Sequence, residues 1–133
     1  MLPQYNEHGY LPPGIHVGSL EEIARRFGRR SAARRAQMDS LRWLVDAARR
    51  AGVKRLIING SFVTNVREPN DVDCILLIDA SFPRDPAAEQ ELRRGLPFLD
   101  VQLVEQDEFE RLVGVFFATD RYRNPKGMVE VVL

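Results

Sequence analysis

Two short runs, "VKRLIIN" at 53–59 and "DVDCILLID" at 71–79, are apolar almost without a break. Runs this short, rich in β-branched residues and lacking polar alternation, read as strands buried on both faces. Such a sheet needs covering layers, and three helical patterns are present to supply them. "SLEE" is a capping box in which Ser19 caps the first turn and Glu22 reaches back to the Ser19 amide, so a short helix runs to about Phe27 and ends at Gly28. "SAARRAQMDSLRWLVDAARRAG" carries the strongest helix signal, with Ser31 as N-cap, an apolar stripe of Met38, Leu41, Leu44, Val45 and Ala48, and Gly52 as terminator. "DPAAEQELRRGL" predicts a third helix starting near Asp85, with Pro86 at its first position and Gly95 near its end.

"PFLDVQLVEQ" (97–106) reads as a third strand with Asp100 among apolar residues, "DEFERLVGVFF" opens with a helical turn, and "GMVEVVL" (127–133) alternates weakly as a closing strand. Residues 1–18 hold Pro3, Pro12, Pro13, Gly9, Gly14 and Gly18, which forbid a regular helix and predict an extended arm lying on the rest of the chain. The order of elements predicts an α/β (α+β) fold in which a small mixed sheet is packed by helices.

With 133 residues and 44% hydrophobic content, residues 1–133 suffice for one domain with a real core. The 19 basic and 19 acidic residues balance, so no bulk charge draws the chain to nucleic acid or anionic lipid. The only cysteine, Cys74, sits inside an apolar run and has no partner for a disulfide, which points to a reducing, cytoplasmic setting. No apolar run approaches the roughly 20 residues of a membrane span, and the N-terminus has no signal-peptide pattern.

The chemistry concentrates between Gly60 and Asp73. In a strand, residues i and i+2 project from one face, so Asp71 and Asp73 point the same way while Val72 enters the core. Two adjacent carboxylates repel, and a divalent cation is the usual remedy; oxygen-only ligation suits Mg²⁺ or Mn²⁺ better than Zn²⁺. If the third strand lies beside the second, Asp100 completes a three-carboxylate cluster of the kind that supports phosphoryl or nucleotidyl transfer. Gly60 then allows close backbone approach to a triphosphate, and the Ser61 hydroxyl and following amides can donate to its oxygens.

The pattern of an apolar strand ending in Gly60-Ser61, a spacer, and Asp71-Val72-Asp73-Cys74 resembles the nucleotidyltransferase superfamily related to DNA polymerase beta. The resemblance covers roughly residues 53–105; Asn59 stands where an apolar residue is usual. It implies Asp71 and Asp73 as metal ligands, Asp100 as third ligand and base for the attacking hydroxyl, and Gly60 and Ser61 at the nucleoside triphosphate. The acceptor hydroxyl would belong to a protein, an RNA or a small molecule. Minimal members carry an arginine soon after Gly-Ser, whereas here "FVTNVRE" offers only Arg67, further along. In size the chain looks like minimal nucleotidyltransferases paired with helical toxin partners, which implies an antitoxin-like binding module as an alternative to an enzyme. A phosphohydrolase or nuclease could use the same carboxylates.

Elsewhere, His8 and His16 lack partners at ligand spacing, and the arginine run at 25–35 reads as a solvated face and loop able to meet RNA or an acidic partner. "TDRYRNPKG" is a turn whose Arg121, Arg123 or Lys126 reaches the site only if the loop folds over it; an exposed hairpin turn fits the residues equally.

Overall fold

The two apolar runs pair with each other at the heart of the molecule. The computed structural model describes residues 1–133. Its strands are β1 (Ile15–Gly18), β2 (Arg55–Asn59), β3 (Val72–Leu77), β4 (Leu99–Val104) and β5 (Met128–Val131). They form one mixed sheet in the order β1-β5-β2-β3-β4. β2 is antiparallel to both β3 and β5, while β1–β5 and β3–β4 are parallel pairs. The helices are α1 (Leu20–Phe27), α2 (Ala32–Ala51), α3 (Pro86–Arg94) and α4 (Gln106–Arg111), the last continuing into a π-helical turn at Leu112–Phe116.

Helix boundaries follow their caps. Ser19 and Glu22 close the capping box at 3.1 and 3.2 Å, Ser31 Oγ accepts from the Arg34 amide, and Asp85 Oδ1 accepts from Ala87 ahead of α3. Such caps are worth about 1 kcal/mol each. Gly52 ends α2 at φ 86°, a left-handed conformation that glycine adopts without strain.

The sheet has two unlike faces. One packs under α1, α2 and α3, where Leu56, Ile58, Val72, Cys74, Leu76, Val129 and Val131 join the buried stripes of those helices. On the other, a smaller cluster of Ile57, Ile75, Leu77 and Met128 lies under Phe109 and Leu112, from α4 and the π-helical turn. Arg55 makes a bidentate pair with Glu130 on this side, at 2.7 and 2.9 Å, with its guanidinium over the Phe109 ring.

The N-terminal arm does more than lie on the fold. Ile15–Gly18 forms the edge strand β1, in register with Met128–Val131. Prolines and glycines exclude a helix there but do not exclude a short edge strand that needs only one neighbour. "IHVG" is too short to show its pairing in advance. No helix is long and apolar enough to cross a membrane.

Candidate functional site

The parallel pairing of β3 with β4 sets Asp73 directly beside Asp100. Asp71 precedes β3, and carboxylate oxygens of Asp71, Asp73 and Asp100 all lie within 4.8 Å of one another. The three candidate ligands, separated by up to 29 positions in sequence, therefore converge. Burial, followed by the charges of Asp71 and Asp100, pushes the Asp73 carboxyl up from 3.8 to about 6, while Lys126 pulls it the other way. Asp100 is exposed at the rim of the cluster and Asp71 is partly buried.

Gly60 follows β2 at φ 81°, and a Cβ there would run into the Asp73 carboxylate. Only glycine fits the turn, both for its conformation and for the carboxylate pressed against it. A single 3₁₀ turn, Ser61–Val63, follows. Ser61 is partly exposed beside this turn.

The sequence marked Asn59 only as a polar residue in an apolar position and gave it no role. Asn59 pairs with Asp73 across the β2–β3 ladder, so both side chains project from the same face. Asn59 is 1% exposed, and neither its Oδ1 nor its Nδ2 has a hydrogen-bond partner in the protein. An unpartnered buried amide is costly, about 1–3 kcal/mol per unsatisfied group. Beside three carboxylates it is the feature of this structure that asks for a ligand. The available signal was small: one polar residue, at the end of an apolar strand, where an apolar residue is usual.

A second overlooked group holds the site in place from beneath. Ser31, Arg34, Gln37 and Ser40 recur at every third position of the α2 segment and are almost fully buried. The Ser31 hydroxyl donates to the Arg67 carbonyl at 3.0 Å, and the Ser40 hydroxyl to that of Pro97 at 3.0 Å, just before β4. Gln37 donates to the Pro69 carbonyl. The Arg34 guanidinium bonds the carbonyls of Phe27, Phe62 and Thr64 at 2.7–2.9 Å and also that of Val66. The loop joining Gly60 to Asp71 is thus bound along its length to one helix. Arg34 corrects the reading of residues 25–35 as a solvated helix face and loop: it is a buried cation solvated by carbonyl dipoles, with its five donors used in full.

The remaining candidates separate. Arg67 is exposed, and the tie that involves it is its main-chain carbonyl on Ser31. The cation acting on Asp73 is instead Lys126. Arg121 and Arg123 are exposed in the turn, whose shape Asp120 fixes by accepting from Tyr122, Asn124 and the Tyr10 hydroxyl, the last at 2.7 Å. The turn is closed by a bridge between Thr119 and Pro125. His16 bonds the Pro12 carbonyl and belongs to the arm. Cys74 is fully buried next to the acidic residues, and burial pushes its thiol up, which keeps it an inert packing residue.

Fold and site together define a small α/β protein whose sheet ends, on one face, in a carboxylate cluster beside a glycine turn. The chain belongs to DUF6932, a family of unknown function, whose pattern matches residues 3–132. The match takes in the arm, the cluster and β5. No curated protein and no solved structure matches the chain.

Proposed function

We propose that this protein is a metal-dependent nucleotidyltransferase, moving a nucleoside monophosphate from a nucleoside triphosphate to a hydroxyl acceptor. The observation that carries this reading is the convergence of Asp71, Asp73 and Asp100 in a cluster whose neighbour on β2, the buried amide of Asn59, has no partner in the protein. The donor set is all oxygen, which fits Mg²⁺ or Mn²⁺. Asp71 and Asp73 would hold the cation with Asp100, and when bound it supplies charge neutralisation to the phosphates and lowers the pKa of the attacking hydroxyl.

The chain's own residues account for the rest. Gly60 lets the turn close against the Asp73 carboxylate, and the Ser61 hydroxyl beside it is a donor for phosphate oxygens. Asp100, exposed at the rim, accepts the proton of the acceptor hydroxyl as its oxygen attacks the α-phosphorus. The bond from that phosphorus to the bridging oxygen breaks, and pyrophosphate leaves with the electron pair. Lys126 offsets negative charge next to Asp73. The α2 polar stripe keeps turn and carboxylates in fixed relation. A buried, reduced Cys74 agrees with a cytoplasmic setting.

The test supplies Mg²⁺ and each nucleoside triphosphate labelled at the α-phosphate, with the chain itself and short RNAs as acceptors. Label on an acceptor with release of pyrophosphate, lost in Asp73→Asn, is the expected result. Label recovered only as free monophosphate would indicate hydrolysis instead, and absence of any Mg²⁺-dependent nucleotide binding would overturn the reading.

A further inference from the structure

The carboxylates share their row of the sheet with the wall of a cavity. Ile15 pairs with Met128; Ile58 pairs with Val129, which sets Met128 beside Asn59; Asn59 pairs with Asp73, and Asp73 with Asp100. Five strands thus present Ile15, Met128, Asn59, Asp73 and Asp100 in one line on one face. At the spacing of neighbouring strands, Met128 stands about 10 Å from Asp73. Over the Ile15–Met128 end lies an open cavity of about 570 Å³, bordered by the arm, the π-helical turn and the 118–126 loop. That size falls within the range of small-molecule sites, about 300–1,000 Å³.

Its walls include Pro13, Ile15, Val113 and Met128, with Thr119 and Lys126 as its polar side chains. Lys126 lines the cavity together with Met128, which stands two residues on and shares the row of the carboxylates. Its ammonium takes no part in the molecule's ion pairs. Its position is pinned by the Lys126 amide on the Ala118 carbonyl at 2.9 Å. A largely apolar chamber with one unpaired cation, on the same row of the sheet as a carboxylate cluster, suits a ligand with a flat apolar body and a polyanionic end.

We propose that this cavity receives the nucleoside end of the nucleotide, with the base against Ile15, Val113 and Met128 and the phosphates passing Lys126 toward the Gly60–Ser61 turn. The proposal rests on the nucleotidyltransferase reading. The nucleotide, rather than the acceptor, is assigned to the cavity because Asp100, which takes the acceptor's proton, stands at the opposite end of the row on the outer strand β4. The acceptor therefore arrives from the β4 edge. A chamber with so few polar groups reads the base weakly, so purine and pyrimidine nucleotides should bind within about tenfold of each other.

The experiment uses the full chain with Mg²⁺ and two probes, inorganic tripolyphosphate and non-hydrolysable nucleoside triphosphates, followed by calorimetric titration. Gly114 lines the cavity and a Cβ there meets no atom within 4 Å, so Gly114→Trp adds a bulky ring at the cavity wall without a backbone clash. Wild type should bind nucleotide at least about tenfold more tightly than tripolyphosphate. Gly114→Trp should keep the tripolyphosphate affinity and lose the nucleotide advantage. Ile15→Ser, at an exposed edge position, should reduce that advantage in part and serves if Gly114→Trp does not fold. A wild type that binds both probes equally, or a Gly114→Trp variant that retains the preference, overturns this proposal while leaving the metal site standing. Failure of the wild type to bind either probe removes the nucleotidyltransferase reading itself, and this one with it.

Discussion

The two faces of the sheet are built for different ends. On the helix face, every inward side chain of β2, β3 and β5 is apolar and meets α1, α2 or α3. On the opposite face the apolar cover stops short: α4 and the π-helical turn bury Ile57, Ile75 and Leu77, but the next row up is Asn59, Asp73 and Asp100. One strand, β3, serves both, with Val72 and Cys74 held at full burial on one side and Asp73 placed among like charges on the other. The difference shows how a small protein maintains a strained polar row: stability comes from one face, and the repulsion is tolerated on the other.

The comparison breaks first at Arg34, which belongs to the helix face yet holds the site loop. Arg34→Met strands several buried carbonyls and should cost about 3 kcal/mol or more, read as a large fall in the urea midpoint. If the midpoint holds, the loop does not depend on the helix.

Asp73→Asn should act in the opposite sense on the open face. It abolishes Mg²⁺ binding while raising the melting temperature of the metal-free protein, because it removes a repelled charge. The pH dependence has the same origin. Asp73 holds its proton more tightly folded, near 6, than unfolded, near 3.8, so its favourable contribution is complete below 3.8 and is lost as pH rises through 6. Metal-free wild type should lose stability across that window and Asp73→Asn should show a flatter profile. Because the cation competes with that proton, Mg²⁺ affinity should weaken below about pH 6.

A smaller effect is expected at Asn59. Asn59→Leu replaces an unpartnered buried amide with an apolar group of similar size, and should stabilise the metal-free protein by about 1 kcal/mol while weakening Mg²⁺ binding by about tenfold. Loss of stability would mean that the amide is satisfied within the fold. The smallest effect belongs to the exposed surface. Arg50 of α2 binds Glu91 of α3 through two hydrogen bonds, at 2.7 and 3.0 Å, and Glu91→Gln should leave the melting temperature nearly unchanged.

Much of this was legible in the chain. Caps at Ser19, Ser31 and Asp85 and terminators at Gly28, Gly52 and Gly95 mark their helices because capping is local chemistry. The short apolar runs marked β2 and β3, and the i, i+2 rule placed Asp71 and Asp73 together. The pairing of β1 with β5 was not legible, since a four-residue edge strand has too little pattern. Nor was the role of Arg34, because a helix position shows whether it faces inward but not which loop carbonyls wait there.

By itself, the sequence determined where α1, α2 and α3 begin and end, that residues 53–59 and 71–79 hold strands, and that Asp71 and Asp73 lie together, because capping and alternation act over a few residues. Tertiary structure alone decided that Asp100 stands beside Asp73, that Asn59 is sealed without a partner, and that Arg67 is exposed with only its carbonyl tied to the fold. Those are matters of strand order, register and loop closure, which depend on contacts between residues far apart in the chain.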